Sequence, residues 1–172
     1  MSGNGDRRSP GARRAAVLGK PVAHSLSPVL HLAAYRALGL TDWTYERVEA
    51  DAQRLPELLS GFGSEWVGVS VTMPGKHAAL EFATEATPRA RAVGAANTLV
   101  KLGDGGWRAD CTDVDGVAGA VLAVCGKPRT DRPAVVIGGG GTASAAAVAC
   151  HQLRLSEVLF VVREPARADY AM

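Results

Sequence analysis

Val135-Val136-Ile137-Gly138-Gly139-Gly140-Gly141-Thr142-Ala143 is the stretch that decides the fold class of this 172-residue chain. A short apolar run of strand type meets four glycines, and a run of small residues of helix type, 143–153, follows. Gly138, Gly140 and Ala143 fill a G-x-G-x-x-A pattern. Glycines permit a tight turn and let the backbone approach a pyrophosphate. The helix start supplies N–H donors and a partial positive charge, and a small residue at 143 lets helix and strand pack closely. A Gly-rich turn without a ligand is the plainer alternative; the strand–turn–helix context favours the nucleotide reading. The next strand, 158–162, ends in Val162-Arg163-Glu164, with Arg167 beyond it. NAD sites usually place a carboxylate there for the ribose 2′-hydroxyl, whereas two guanidinium groups suit a 2′-phosphate. Glu164 could pair with either Arg or cap the next segment, and arginines on a surface loop are the remaining alternative. The balance favours NADP over NAD. The cofactor-binding candidates are Gly138, Gly140, Gly141, Thr142, Ala143, Arg163 and Arg167.

Upstream, strand and helix patterns alternate. Residues 15–18 read as a strand closed by Gly19-Lys20-Pro21. Ser27-Pro28 starts a helix, Ser as N-cap and Pro in the first turn. Leu30, Ala33, Ala34, Ala37 and Leu38 form its expected buried face, and Gly39 its stop. Strands follow at 44–48 and 66–71, with a helix at 52–59 between them. Pro74 opens another helix that holds Lys76 and 78–82. Residues 98–102 and 107–109 form a hairpin around Gly103-Asp104-Gly105-Gly106. Residues 114–124 form a helix, and 126–132 is a polar connection. This order gives an α/β fold with a largely parallel sheet. It divides into a basic disordered tail at 1–13, a mixed or parallel-sheet substrate domain at 14–112, and a Rossmann-type NADP-binding domain beginning at 113. One strand–helix–strand unit buries little, so the chain is expected to stop inside that second domain.

Hydrophobic residues make up 47% and charged residues 21%, which places the chain among soluble globular proteins rather than disordered ones. The first 14 residues hold four arginines against one Asp, and the remainder is close to neutral. A near-neutral body is a poor match to nucleic-acid binding. Cys111, Cys125 and Cys150 are too few and too scattered for a disulfide scaffold or a Cys-rich metal site. With no secretory segment visible, the expected location is the cytoplasm. The uncharged stretch 133–150 is long enough for a membrane span, but the glycine turn splits it.

Three further segments combine polar groups with tight turns. They are Gly19-Lys20-Pro21-Val22-Ala23-His24-Ser25-Leu26-Ser27-Pro28, Val69-Ser70-Val71-Thr72-Met73-Pro74-Gly75-Lys76, and Gly94-Ala95-Ala96-Asn97-Thr98 with Thr112-Asp113 and Gly116 after it. In this order, with the nucleotide turn, they resemble the shikimate dehydrogenase family over about residues 14–168. The resemblance implies interconversion of shikimate and 3-dehydroshikimate with NADP, within aromatic amino-acid and chorismate biosynthesis. It also implies a small-molecule partner only and a monomer or homodimer. By position it makes Ser25 and Ser27 binders of the substrate carboxylate. Thr72 and Asn97 become binders of ring hydroxyls, with Ser70 and Asp113 also at the substrate. Lys76 and Asp113 become the catalytic pair. Removing hydride from a secondary alcohol also requires a base for its proton. Burial lowers the pKa of a lysine and a nearby carboxylate raises it, so the two are expected to handle the proton as one coupled pair. A surface Lys and an N-capping Asp are the structural alternative.

This chain departs from the family's usual residues. Ser70 and Cys111 stand where the family usually has Asn, Leu32 follows His31, and Val162 precedes Arg163. Ser70 offers one hydroxyl in place of an amide's separate donor and acceptor. Cys111 reads as a packed strand residue. His24 could line the cleft or be a satisfied loop residue. His31, His77 and His151 fall in helices without metal-ligand spacing. In the family the C-terminal part completes the nicotinamide-binding sheet and brings a Gln to the substrate. Two rival readings stay open: an NAD-using quinate/shikimate dehydrogenase, and a non-catalytic module binding a shikimate-like ligand.

Overall fold

A computed structural model describes residues 11–164. The elements run β1 (Arg13–Gly19), α1 (Ser27–Ala37), β2 (Trp43–Glu49), α2 (Leu55–Ser60), β3 (Trp66–Val71), α3 (Lys76–Phe82), β4 (Glu85–Ala86), α4 (Pro88–Val93), β5 (Thr98–Lys101), β6 (Trp107–Asp110), α5 (Asp113–Cys125), β7 (Ala134–Ile137), α6 (Gly141–Gln152) and β8 (Val158–Val161). β1 to β6 form a mixed sheet in the order β2-β1-β3-β5-β6-β4. β2-β1-β3 is parallel, β3-β5-β6 is antiparallel, and β4 pairs with β6 in parallel. β7 and β8 pair in parallel beyond it.

β1 sits inside the sheet and is apolar on both faces, as a covered parallel strand must be. Ala16 and Leu18 face a core with Leu55, Leu59, Val69, Val71, Leu99 and Trp107. Ala15 and Val17 face the other side, with Val22 and Tyr45, under Leu32 and Tyr35 of α1. Leu18, Leu55, Leu59 and Leu99 are fully buried, each contributing about 1.5–3 kcal/mol of burial. A third core joins Ala90 and Val93 of α4, Cys111, Val114 of α5, and Ala145 and Ala149 of α6. It ties the glycine turn's helix to the six-stranded sheet.

Four sequence expectations are corrected. First, α1 buries a different face: Leu30 and Leu38 are 68% and 72% exposed, and Ala33, Ala34 and Ala37 are exposed. Pro28, His31, Leu32 and Tyr35, also at helical spacing, turn inward. His31 stacks on Tyr45 at 4.0 Å between ring centroids, and Tyr35 meets Trp43 edge-on at 5.3 Å. Rings bury more area than alanines, so the aromatic stripe wins. Second, Ser27 is the first helical residue with Leu26 as N-cap, and Ser25 Oγ accepts the Ser27 N–H at 3.3 Å. Third, α3 starts at Lys76, after a cis Met73–Pro74 turn. Fourth, β4 and α4 were not expected. Thr87-Pro88 is their signature, Thr87 accepting the Ala90 N–H at 3.2 Å and Pro88 filling the first turn. The expected strands 66–71 and 134–137 and the hairpin after Thr98 are found in place.

Candidate functional site

The turns after β1 and β3 meet at the carboxyl ends of their strands, where α/β folds place ligands. Gly19 makes the meeting possible: a Cβ there would lie 2.3 Å from Thr72 Cγ2 and 3.0 Å from the Met73 carbonyl oxygen. Lys20 N–H donates to that oxygen at 2.9 Å. Beside this seam lies a polar cavity of about 580 Å³, lined by Ser25, Ser27, His31, Ser70, Thr72, Lys76, Asn97, Thr112 and Asp113. All seven residues read as substrate-binding or catalytic line this one cavity. They come from the turn into α1 and its first residue, the end of β3 and the residue after it, α3, the turn before β5 and the start of α5.

Lys76 and Asp113 meet in the cavity wall. Lys76 Nζ donates to Asp113 Oδ2 at 2.5 Å and to Thr142 Oγ1 at 3.3 Å. Both side chains are mostly buried, 14% and 24% exposed, so water screens the pair weakly. Asn97 Nδ2 donates to Asp113 Oδ1 at 2.6 Å, and Asn97 Oδ1 accepts the Thr112 N–H at 2.9 Å. That backbone donor fixes which way the amide faces. The expected N-cap role of Asp113 is corrected here: Thr112 is the N-cap, Asp113 opens α5, and its carboxylate turns to Lys76 and Asn97 instead.

A second cavity, about 510 Å³, lies between the Met73-Pro74 turn and the glycine turn. Gly138, Gly140, Gly141, Thr142 and Ala143 line it, and Thr72 and Lys76 border both cavities. Gly138 has φ +123°, a conformation that suits glycine alone. Gly140 caps α6 with no side-chain bond, which leaves the first N–H groups of the helix available to an anion. A Cβ on Gly141 would come within 3.3 Å of Lys76 Cδ, so glycine there lets the turn close on the lysine. Arg163 is exposed on the bend after β8. Arg167 lies outside the described residues.

Cys111 is fully buried one residue past β6, and burial pushes its thiol pKa up, away from reactivity. His24 is exposed and does not line the polar cavity, whereas His31 does. Among the described residues no group of His, Cys, Asp and Glu could hold a metal, and no helix is long and apolar enough to cross a membrane.

Two features had no reading in the sequence. Tyr45 supports the cavity from behind, donating to Ser70 Oγ at 2.8 Å. Arg89 clamps the turn that carries Asp113. Its Nε and Nη2 fork onto Asp110 at 2.6 and 2.5 Å, and its Nη1 reaches Asp115. Chiefly through Arg89, with Thr87 and the Cys111 N–H adding to it, the Asp110 carboxyl is held down to about 2. The Thr87-Pro88 signature could have found the helix of Arg89; nothing local points Tyr45 at Ser70, two strands away.

A model of the shikimate dehydrogenase substrate-binding domain matches residues 17–99. The shikimate dehydrogenase (NADP(+)) of Synechococcus sp. strain JA-3-3Ab is 38% identical over 162 residues, which cover 93% of this chain and 54% of that protein. The crystal structure of Mycobacterium tuberculosis shikimate dehydrogenase is 57% identical with a TM-score of 0.81, covering 92% of this chain and 58% of that one. The shikimate 5-dehydrogenase of Thermus thermophilus, solved in complex with NADP(H) and shikimate, is 38% identical with a TM-score of 0.80, covering 91% and 58%. The chain thus spans little more than half the length of these relatives.

Proposed function

From its similarity to shikimate dehydrogenases, we propose that this chain is a member of that family and forms the substrate half and the start of the cofactor half of an NADP-dependent oxidoreductase interconverting shikimate and 3-dehydroshikimate. The observation that carries the reading is the position of Lys76. Its ammonium bonds Asp113 at 2.5 Å while bordering both the polar cavity and the glycine-turn cavity. That position supports reading the two side chains as a proton-handling pair between a site for a polyhydroxylated acid and a site for a dinucleotide. In this proposal the substrate domain runs to residue 112 and starts at Arg13, which opens β1 instead of ending the expected tail, and 113–172 belong to the cofactor domain.

NADP would supply the hydride acceptor when bound; the chain's own groups bind and orient the substrate and move the proton. Ser25 and Ser27 offer hydroxyls from the cavity wall to the substrate carboxylate, and Thr72 and Asn97 serve the ring hydroxyls. Lys76 and Asp113 take the alcohol proton as a coupled pair, so the pair's joint state matters rather than one group's pKa. The first N–H groups of α6 and the glycine turn suit the pyrophosphate, and Arg163 and Arg167 the 2′-phosphate.

The test follows NADPH formation from shikimate, beside calorimetric titration of shikimate itself. Lys76→Met is expected to lower kcat by about 10²-fold or more. Retention of most of kcat would overturn the assigned role. Shikimate binding without any hydride transfer by the native protein would instead favour the binding-module reading. NAD outcompeting NADP would favour the quinate-type one.

A further inference from the structure

Tyr45 is an inward residue of an outer strand, 6% exposed, beneath α1. Its ring starts on β2, beside Ala15 of β1, and its hydroxyl ends on β3. Neighbouring strands lie about 4.8 Å apart, so the side chain crosses the intervening strand to get there. The small Ala15 in register with it leaves the room. On its far side the ring stacks on His31 at 4.0 Å and 12°. His31 Nδ1 in turn donates to the Ser27 carbonyl at 2.8 Å, since a carbonyl can only accept.

A phenol in this apolar setting costs free energy unless its hydroxyl is bonded, and a phenylalanine would fill the space without that cost. The hydroxyl therefore calls for an explanation in what it touches. It donates to Ser70 Oγ at 2.8 Å, and Ser27 is a further hydroxyl of the same cavity. Both serines line the polar cavity, while Tyr45 itself does not. Once Ser70 Oγ accepts the phenol proton, its own proton is left to point elsewhere, and the cavity is the open direction. Ser70 is thereby presented as a donor.

Resting on the function proposed above, we infer that Tyr45 is a positioning residue: through its hydroxyl it sets the Ser70 hydroxyl for the substrate, acting from behind the cavity wall. The inference concerns affinity, because neither serine touches the Lys76–Asp113 pair.

Tyr45→Phe removes one oxygen and keeps the ring and its stack on His31. Titration calorimetry with shikimate is expected to give about tenfold weaker binding, the loss of one positioned hydrogen bond. Ser70→Ala should weaken binding comparably, and Tyr45→Phe with Ser70→Ala should add little to either change. Wild-type affinity in Tyr45→Phe, with only the melting temperature lowered, would make the hydroxyl structural and overturn the inference. Fully additive losses would overturn it too, because Tyr45 would then not act through Ser70. Failure of the wild-type protein to bind shikimate would sink the proposed function itself. That outcome is distinct from wild-type binding with an indifferent variant.

Discussion

Gly138 shows how much one backbone angle decides. At φ +123° an L side chain is strained whatever space surrounds it, and here the space is open. Gly138→Ala is therefore expected to cost about 1–3 kcal/mol locally. The strained turn would relax out of its anion-facing geometry, so NADP titration should show weaker binding with shikimate binding unchanged. Asp110 makes a second point about single residues. Its folded pKa, about 2, lies below the usual 3.8, so its contribution to stability is present above the unfolded value. That contribution fades as pH falls from roughly 5 towards 2. Urea denaturation across this range should show the native protein losing stability more steeply than Asp110→Asn, whose neutral side chain cannot titrate. The same variant should be less stable at neutral pH, where Arg89 loses its carboxylate.

Helices in this fold owe their positions to a few end contacts. α4 has six residues, too short to hold itself, and relies on the Thr87 cap and on Ala90 and Val93 in the third core. Thr87→Ala should cost about 0.5–2 kcal/mol in chemical denaturation. Because Thr87 also donates to Asp110 at 2.7 Å, the upper part of that range is expected. α1 gives the opposite case. Its Leu30 points outward, so Leu30→Ser should change stability by less than about 0.5 kcal/mol. Had the helix been seated on its Leu30–Ala34–Leu38 stripe, the same change would cost several times more. Stability measurements on this one variant thus separate the two faces.

Across the whole chain, the Lys76–Asp113 bond and the core of α4, α5 and α6 hold the glycine turn against the six-stranded sheet. The geometry shared by the two cavities is therefore a product of packing between segments 66 residues apart, as the Lys76–Thr142 contact shows. The sheet's core is the foundation. Leu99 of β5 is fully buried and adjoins the turn carrying Asn97. Leu99→Ala is expected to cost about 2–5 kcal/mol by denaturation.

Local chemistry was enough to read the strand–glycine–helix turn at 135–143, the strand at 66–71 and the hairpin after Thr98, while the polar residues that line the cavity were named by the family resemblance. Each depends on short-range rules: alternation, turn residues, and motif order along the chain. The sequence could not choose between the two apolar stripes of α1, because periodicity marks a face without naming what lies opposite it. Nor could it show that the Asp113 carboxylate turns to Lys76 rather than capping its own helix, or that Tyr45 reaches over β1 to Ser70. Those choices compare the burial of alternative surfaces and the pairing of polar groups distant in sequence, and only the assembled sheet and helices bring the competing partners together.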